Sequence, residues 1–236
     1  MRPVDKGNGA NYTNYQDAKQ DLVNQLGAYC CYCERRIPTN IAVEHILPKD
    51  PALGYMHLRN NWDNFLLGCV NCNSAKSTKI IDLGTHLLPD RDNTFVVYIY
   101  EETGSVEINP QLDQNLASMA TKTLDLVALN RNDCHNWDDT ILFSALERFS
   151  QRVQAWVQAK QAREDYDRGQ VNIRRICAEA ASTGFFSIWM AAFEGISAVR
   201  LELIRVFPNT APDCFDQNGE VVSPRPRNRL QNSGKS

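Results

Sequence analysis

Cys30-x-x-Cys33 and Cys69-x-x-Cys72 form two thiol pairs with 35 residues between them. Four thiolates in two tight pairs are the donor set of a structural tetrahedral zinc. Inside that bracket lie Glu44, His45 and Asn64, and directly after it Asn73 and Lys76. These residue types are those that phosphodiester hydrolysis requires. Such a reaction needs a base for water, a cation for the charge on the leaving oxygen, and a rigid frame. His45 is the candidate base, because imidazole titrates near neutral pH. Glu44 and the amide carbonyl of Asn73 are hard oxygen donors suited to Mg²⁺ or Mn²⁺. Lys76, one helical turn beyond Asn73, is placed to contact a phosphate. Asn64 would hydrogen-bond the backbone around His45 and orient the imidazole.

Each residue also has a plainer reading. The cysteines could form two disulfides or stay as buried thiols. However, Met1 to Lys6 carries no apolar signal core, so an intracellular, reducing setting is expected, and there metal is favoured over bridges. Cys31 reads as a bystander thiol, and Cys134, Cys177 and Cys214 are scattered singly. A histidine in a strand is often only a satisfied polar group, and an Asn after a cysteine is often only a turn former. His57, His86 and His135 are isolated and read as structural or exposed. Singly these signals are weak; their order inside a cysteine bracket is strong.

The elements that must position these residues are partly readable. Ala18, Leu22, Val23 and Leu26 predict a helix over 15–27, stopped by Gly27. The β-branched run 41–46 predicts a strand, in which Glu44 and His45 face opposite sides unless a strand end or bulge intervenes. Residues 62–67 lead back to the second pair, and Asn73 to Lys79 should open a helix. Residues 94–108 read as a β-hairpin turning at Glu102-Thr103-Gly104-Ser105. Helical spacing then runs through 113–129, from Trp137 to Asp165, over 171–181, and from Phe185 to Phe207, where Pro208 follows. Residues 1–14 read as an extended arm. The acid-free stretch after Glu220, with Arg225, Arg227, Arg229 and Lys235, reads as a disordered tail.

Charge is unevenly spread. The chain of 236 residues has a net charge of −3, with 25 basic against 28 acidic side chains. Residues 1–80 hold 9 of the basic and 7 of the acidic side chains, leaving 16 and 21 for 81–236. Arg35, Arg36, Lys49, Arg59, Lys76 and Lys79 fall within or beside the bracket, as phosphate contacts or as a solvated surface. No apolar stretch reaches the ~20 residues a bilayer span needs, so a cytoplasmic protein without membrane contact is expected.

Four segments together resemble the HNH endonucleases: Cys30-Cys31-Tyr32-Cys33-Glu34-Arg35, Val43-Glu44-His45-Ile46-Leu47-Pro48, Trp62 to Leu67, and Cys69-Val70-Asn71-Cys72-Asn73-Ser74-Ala75-Lys76. The resemblance covers about 28–80. It implies a ββα-metal core with zinc knuckles, His45 as general base, Glu44 and Asn73 on one divalent cation, and Asn64 as the orienting Asn. Glu44 stands where Asp or His is commoner, and Asn73 where many members carry a final His.

The opening Arg2 to Gly7, the block Gly27 to Arg35, and Leu88 to Phe95 are similar to the HNH subunit (PtuB-like) of Septu-type antiphage defence systems, including retron-associated ones. That resemblance implies a partner ATPase (PtuA-like) and a role in restricting phage. No Walker motif occurs in this chain.

The expected architecture is α+β. A zinc-stabilised nuclease domain with its arm spans 1–110, a helical bundle domain 111–210, and a disordered tail 211–236. Nucleic acid is the expected substrate, DNA ahead of RNA, with structural zinc and catalytic Mg²⁺ or Mn²⁺. The competing expectation is a zinc-ribbon binding or scaffolding module with an inactive site. On the PtuB-like resemblance the helical half, 113–207, is expected to be the surface on which the ATPase docks, with Phe185, Phe186, Ile188, Trp189 and Phe193 leaving an apolar patch there; filling of the bundle core is the alternative. Trp137, Trp156 and Trp189 read as core residues.

Overall fold

Apolar side chains one turn apart need a common surface to bury against, and α1 (Ala18–Leu26) buries Ala18, Leu22 and Leu26 on one. It follows a 3₁₀ turn at Tyr15–Asp17, where the Asn14 side chain accepts from Gln16 N–H. It ends at Gly27, whose φ of 73° suits glycine. The structure is a computed structural model that describes residues 1–10, 12–130 and 139–236, with the side chains of 139–145 excepted. Cys134, His135 and Trp137, and with Trp137 the expected start of the long helix, lie outside the described residues.

Strands β1 (Ala42–His45) and β2 (Phe65–Gly68) pair antiparallel, with His45 opposite Phe65 and Ala42 opposite Gly68. Helix α2 (Val70–Lys76) follows immediately, and the Cys69 sulfur caps it by accepting from Cys72 N–H at 3.4 Å. The helix therefore begins before Asn73, not at it, because a cysteine at the cap position supplies the acceptor the first turn needs.

The expected hairpin is half right. Its first residues form a helical turn, α3 (Thr94–Val97), because the Asn93 side chain accepts from Phe95 N–H. Only β3 (Tyr98–Tyr100) and β4 (Val106–Ile108) pair as strands. Helices α4 (Gln114–Leu126), α5 (Asp139–Asp167), α6 (Ile173–Thr183), α7 (Phe186–Ala192) and α8 (Ser197–Val206) complete the chain. The expected helix from Phe185 to Phe207 is two helices, broken at Gly195 with φ 77°. α6 packs on α8, and α5 on α7.

Buried side chains from the two halves form a single cluster across residue 110. At the junction the Glu34 carboxylate accepts from Ser187 N–H at 2.8 Å and from Ser187 Oγ–H at 2.6 Å. Gly184 lies so close that an added Cβ would stand 2.7 Å from Arg36 N and 2.8 Å from Glu34 O. Glycine is required there.

Two expectations are corrected. Residues 211–236 are not a disordered tail: Cys214, Arg225, Leu230 and Ser236 are buried. Their basic side chains find acids outside the acid-free stretch, Arg225 with Asp213 of the same segment at 3.1 Å, and, from far away in sequence, Arg229 with Asp63 at 2.5 Å and Lys235 with Asp92 at 2.9 Å. The apolar run is not a surface patch either. Phe185, Phe186, Ile188, Trp189 and Phe193 are at most 3% exposed, so they fill the core. The extended arm is anchored through Lys6, whose Nζ lies 2.7 Å from buried Asp90.

Candidate active site and thiolate cluster

Cys30 and Cys33 lie on a knuckle turn in which Glu34 N–H donates to Cys30 O at 2.9 Å, with Glu34 in the left-handed region at φ 61°. Cys69 and Cys72 open α2. The sulfur atoms of Cys30, Cys33, Cys69 and Cys72 all lie within 4.8 Å of one another and all four residues are buried. The Cys33 and Cys69 sulfurs are 3.7 Å apart. Zinc–sulfur bonds of about 2.3 Å place tetrahedral neighbours about 3.8 Å apart, so the donors fit zinc. Hydrogen bonding from Cys30, then Cys33 and Cys72, pulls the Cys69 thiol far below its usual range. Arg148 of α5 donates to Cys72 Sγ at 3.6 Å. Burial opposes the Arg35 charge, but the thiols of Cys33 and Cys69 outweigh it and hold its pKa up. Two guanidiniums, those of Arg148 and Arg35, thus lie beside the sulfur cluster, where they would offset thiolate charge. Cys31 stands outside, its thiol raised to about 11 by burial.

His45 ends β1. Its Nε2 is 2.9 Å from the carbonyl oxygen of Arg59. A carbonyl only accepts, so Nε2 carries the proton and Nδ1 keeps the lone pair. Tyr15 and Phe65 meet the imidazole edge-on, with centroids 4.8 and 5.2 Å away. Burial, with smaller contributions from Lys49, Lys76 and Arg59, lowers its pKa to about 4, despite the Arg59 hydrogen bond. The ring is therefore neutral at pH 7 and able to take a proton.

Asn64 fixes the chain just beyond His45. Its Oδ1 accepts from Leu47 N–H at 2.7 Å, while its Nδ2 donates to Leu47 O at 2.9 Å and to Leu58 O at 3.3 Å. Ile46 N–H donates to the Asn64 carbonyl at 2.9 Å. The orientation of His45 thus rests on the backbone that Asn64 pins.

Glu44 and Lys76 are both buried. Lys76 Nζ lies 2.9 Å from Glu44 Oε1 and donates to His45 O at 2.6 Å, and Tyr32 OH donates to Glu44 Oε2 at 2.9 Å. The expected phosphate contact by Lys76 does not fit this placement, because its charge is committed inside the protein. Glu44, His45 and Asn73 all line one cavity of about 460 Å³, together with Lys49 and Asp50. Gly68 makes that convergence feasible: a Cβ there would stand 3.2 Å from Glu44 Cβ and 3.8 Å from Asn73 Cβ. A larger hollow of about 540 Å³, beside His57, Asn61 and Trp62, contains none of the three. A carboxylate and an amide carbonyl have the chemistry that Mg²⁺ or Mn²⁺ prefers. A cation at Glu44 Oε1 would compete there with the Lys76 ammonium.

Residues 30–79, which hold both thiol pairs and Glu44, His45, Asn64, Asn73 and Lys76, match the HNH endonuclease family and form an HNH endonuclease domain. No curated protein matches the chain. Among the described residues no helix is long and apolar enough to cross a membrane.

Tyr15, Tyr32, Gly68 and the Arg59 carbonyl went unnoticed in the sequence. Tyr32 had a signal, its place between two of the clustered cysteines. Tyr15 and Arg59 had none, since nothing local ties them to His45.

Proposed function

We propose that this protein is a metal-dependent HNH endonuclease that hydrolyses nucleic-acid phosphodiester bonds, DNA ahead of RNA. The observation that carries the reading is the shared cavity of Glu44, His45 and Asn73, with the only free ring lone pair of His45 on Nδ1. His45 Nδ1 accepts a proton from water as the water oxygen bonds to phosphorus and the bond to the leaving sugar oxygen breaks. The Arg59 carbonyl and Asn64 keep the imidazole oriented through that transfer. Glu44 and Asn73 would hold a divalent cation, which when bound supplies charge stabilisation at the leaving oxygen. Cys30, Cys33, Cys69 and Cys72 would hold a zinc that has no part in the bond-breaking step.

The similarity of the opening residues and of Leu88 to Phe95 to PtuB-like proteins supports a role as the effector of a Septu-type antiphage system, working in the cytoplasm beside a PtuA-like ATPase. The second reading, a nucleic-acid-binding module with an inactive site, draws on the Lys76–Glu44 pair, which occupies a carboxylate the cation needs. Incubating the purified chain with DNA and with RNA, in Mg²⁺ or Mn²⁺ and in chelator, separates the two. Cation-dependent cleavage supports the first; binding without cleavage, with or without the ATPase, supports the second.

A further inference from the structure

With Lys76 committed to Glu44, the site needs another cation for the phosphate, since charge building on the non-bridging oxygens needs a fixed donor. We propose that Lys49 is that phosphate-contacting group, seated by the ring of Tyr15; the inference rests on the nuclease reading of His45. Three observations carry it. Lys49 is half-buried and lines the same cavity as Glu44, His45 and Asn73. Its Nζ lies 3.7 Å from the Tyr15 ring centroid, well within the range of a cation–π contact. Among the described residues it pairs with no carboxylate, unlike Lys76 and Lys6, so its charge is available.

Tyr15 ties the arrangement together. The same ring meets His45 edge-on at 4.8 Å and carries Lys49 on its face. One side chain thus fixes the spacing between proton acceptor and ammonium, which a free lysine would not keep without losing rotamer entropy on binding. Arg59 is the weaker candidate. Its guanidinium is 5.9 Å from the Tyr15 centroid, the residue is exposed, and it does not line the cavity.

The test compares wild type, Lys49→Ala, Lys49→Arg and Tyr15→Leu for cleavage of a DNA duplex in Mn²⁺. In a His45→Ala background it also measures duplex affinity against salt. Lys49→Ala should lose about 10²-fold in kcat, as removal of a fixed donor to a transition-state oxygen does. It should also lower the salt slope by about 0.9, the value of one phosphate contact. Lys49→Arg should restore the slope and most of the rate. Tyr15→Leu, a positioning change, should cost rate while keeping the slope. Unaltered kcat and slope in Lys49→Ala, with wild type cutting, overturns the role of Lys49 and leaves the nuclease reading standing. A wild type that cuts neither this duplex nor RNA, with or without the ATPase, contradicts the nuclease reading instead. The slope then still decides Lys49: lower by about one supports the contact, and unchanged removes it.

Discussion

Lys76 Nζ lies 2.9 Å from Glu44 Oε1, with each side chain 1% exposed. Two buried charges depend on one another, because removing either leaves the other unpaired in a poorly solvated site. Lys76→Met should therefore destabilise the fold by about 3–5 kcal/mol in urea unfolding. Added Mg²⁺ or Mn²⁺ should recover part of that loss if Glu44 holds the cation. Recovery in Lys76→Met but not in Glu44→Gln/Lys76→Met would assign the cation to this carboxylate.

The depressed pKa of His45, about 4 against the usual 6.5, sets a pH dependence. Between those values the unfolded chain binds a proton that the folded chain does not. Stability from this group is therefore complete above about 6.5 and declines as pH falls toward 4. His45→Gln should flatten that part of the stability profile. In cleavage, kcat/KM should hold its plateau below pH 6, because the base stays unprotonated there. An acid limb centred near 6.5 would show that the imidazole titrates as if exposed.

Asn64 makes three hydrogen bonds to the chain at Leu47 and Leu58 from a side chain only 4% exposed. Asn64→Ala should cost about 2–4 kcal/mol, at roughly 1 kcal/mol per bond lost. It should also slow cleavage, since His45 lies two residues from Leu47. Asn64→Asp keeps the acceptor and loses both donations, so it should fall between wild type and Asn64→Ala in unfolding assays.

Four converging sulfurs predict one tightly held zinc per chain, whose binding energy is also folding energy. Chelation should lower the melting temperature sharply, and elemental analysis should give one zinc. Arg148→Leu removes the donor 3.6 Å from Cys72 Sγ and should speed zinc loss to a chelator without altering the stoichiometry.

What the sequence disclosed was governed by short-range rules. The cysteine spacing, the apolar turn of α1 and its stop at Gly27, and the order His45, Asn64, Asn73 all act over a few residues. The Glu44–Lys76 pair was hidden, because both residues read as free charges until β1 and α2 are brought side by side. Tyr15 was hidden for the same reason, reaching His45 from a turn that precedes α1. The last segment misled because its arginines have no acids nearby in sequence, whereas Asp63 and Asp92 meet Arg229 and Lys235 across the fold. The run Phe185 to Phe193 misled by density alone. Its pattern carries no mark of whether a second surface awaits it, and here the rest of the core does.

Everything in the cleavage site turns on His45 as the general base, so the decisive measurement is the cleavage rate of His45→Ala beside its zinc content and thermal unfolding. Loss of the base should lower the single-turnover rate about 10²–10⁴-fold, with one zinc retained and a cooperative melting transition. A variant that is folded, zinc-loaded and cuts nucleic acid at the wild-type rate would contradict it, and His45 would then be a packing residue held between Tyr15 and Phe65.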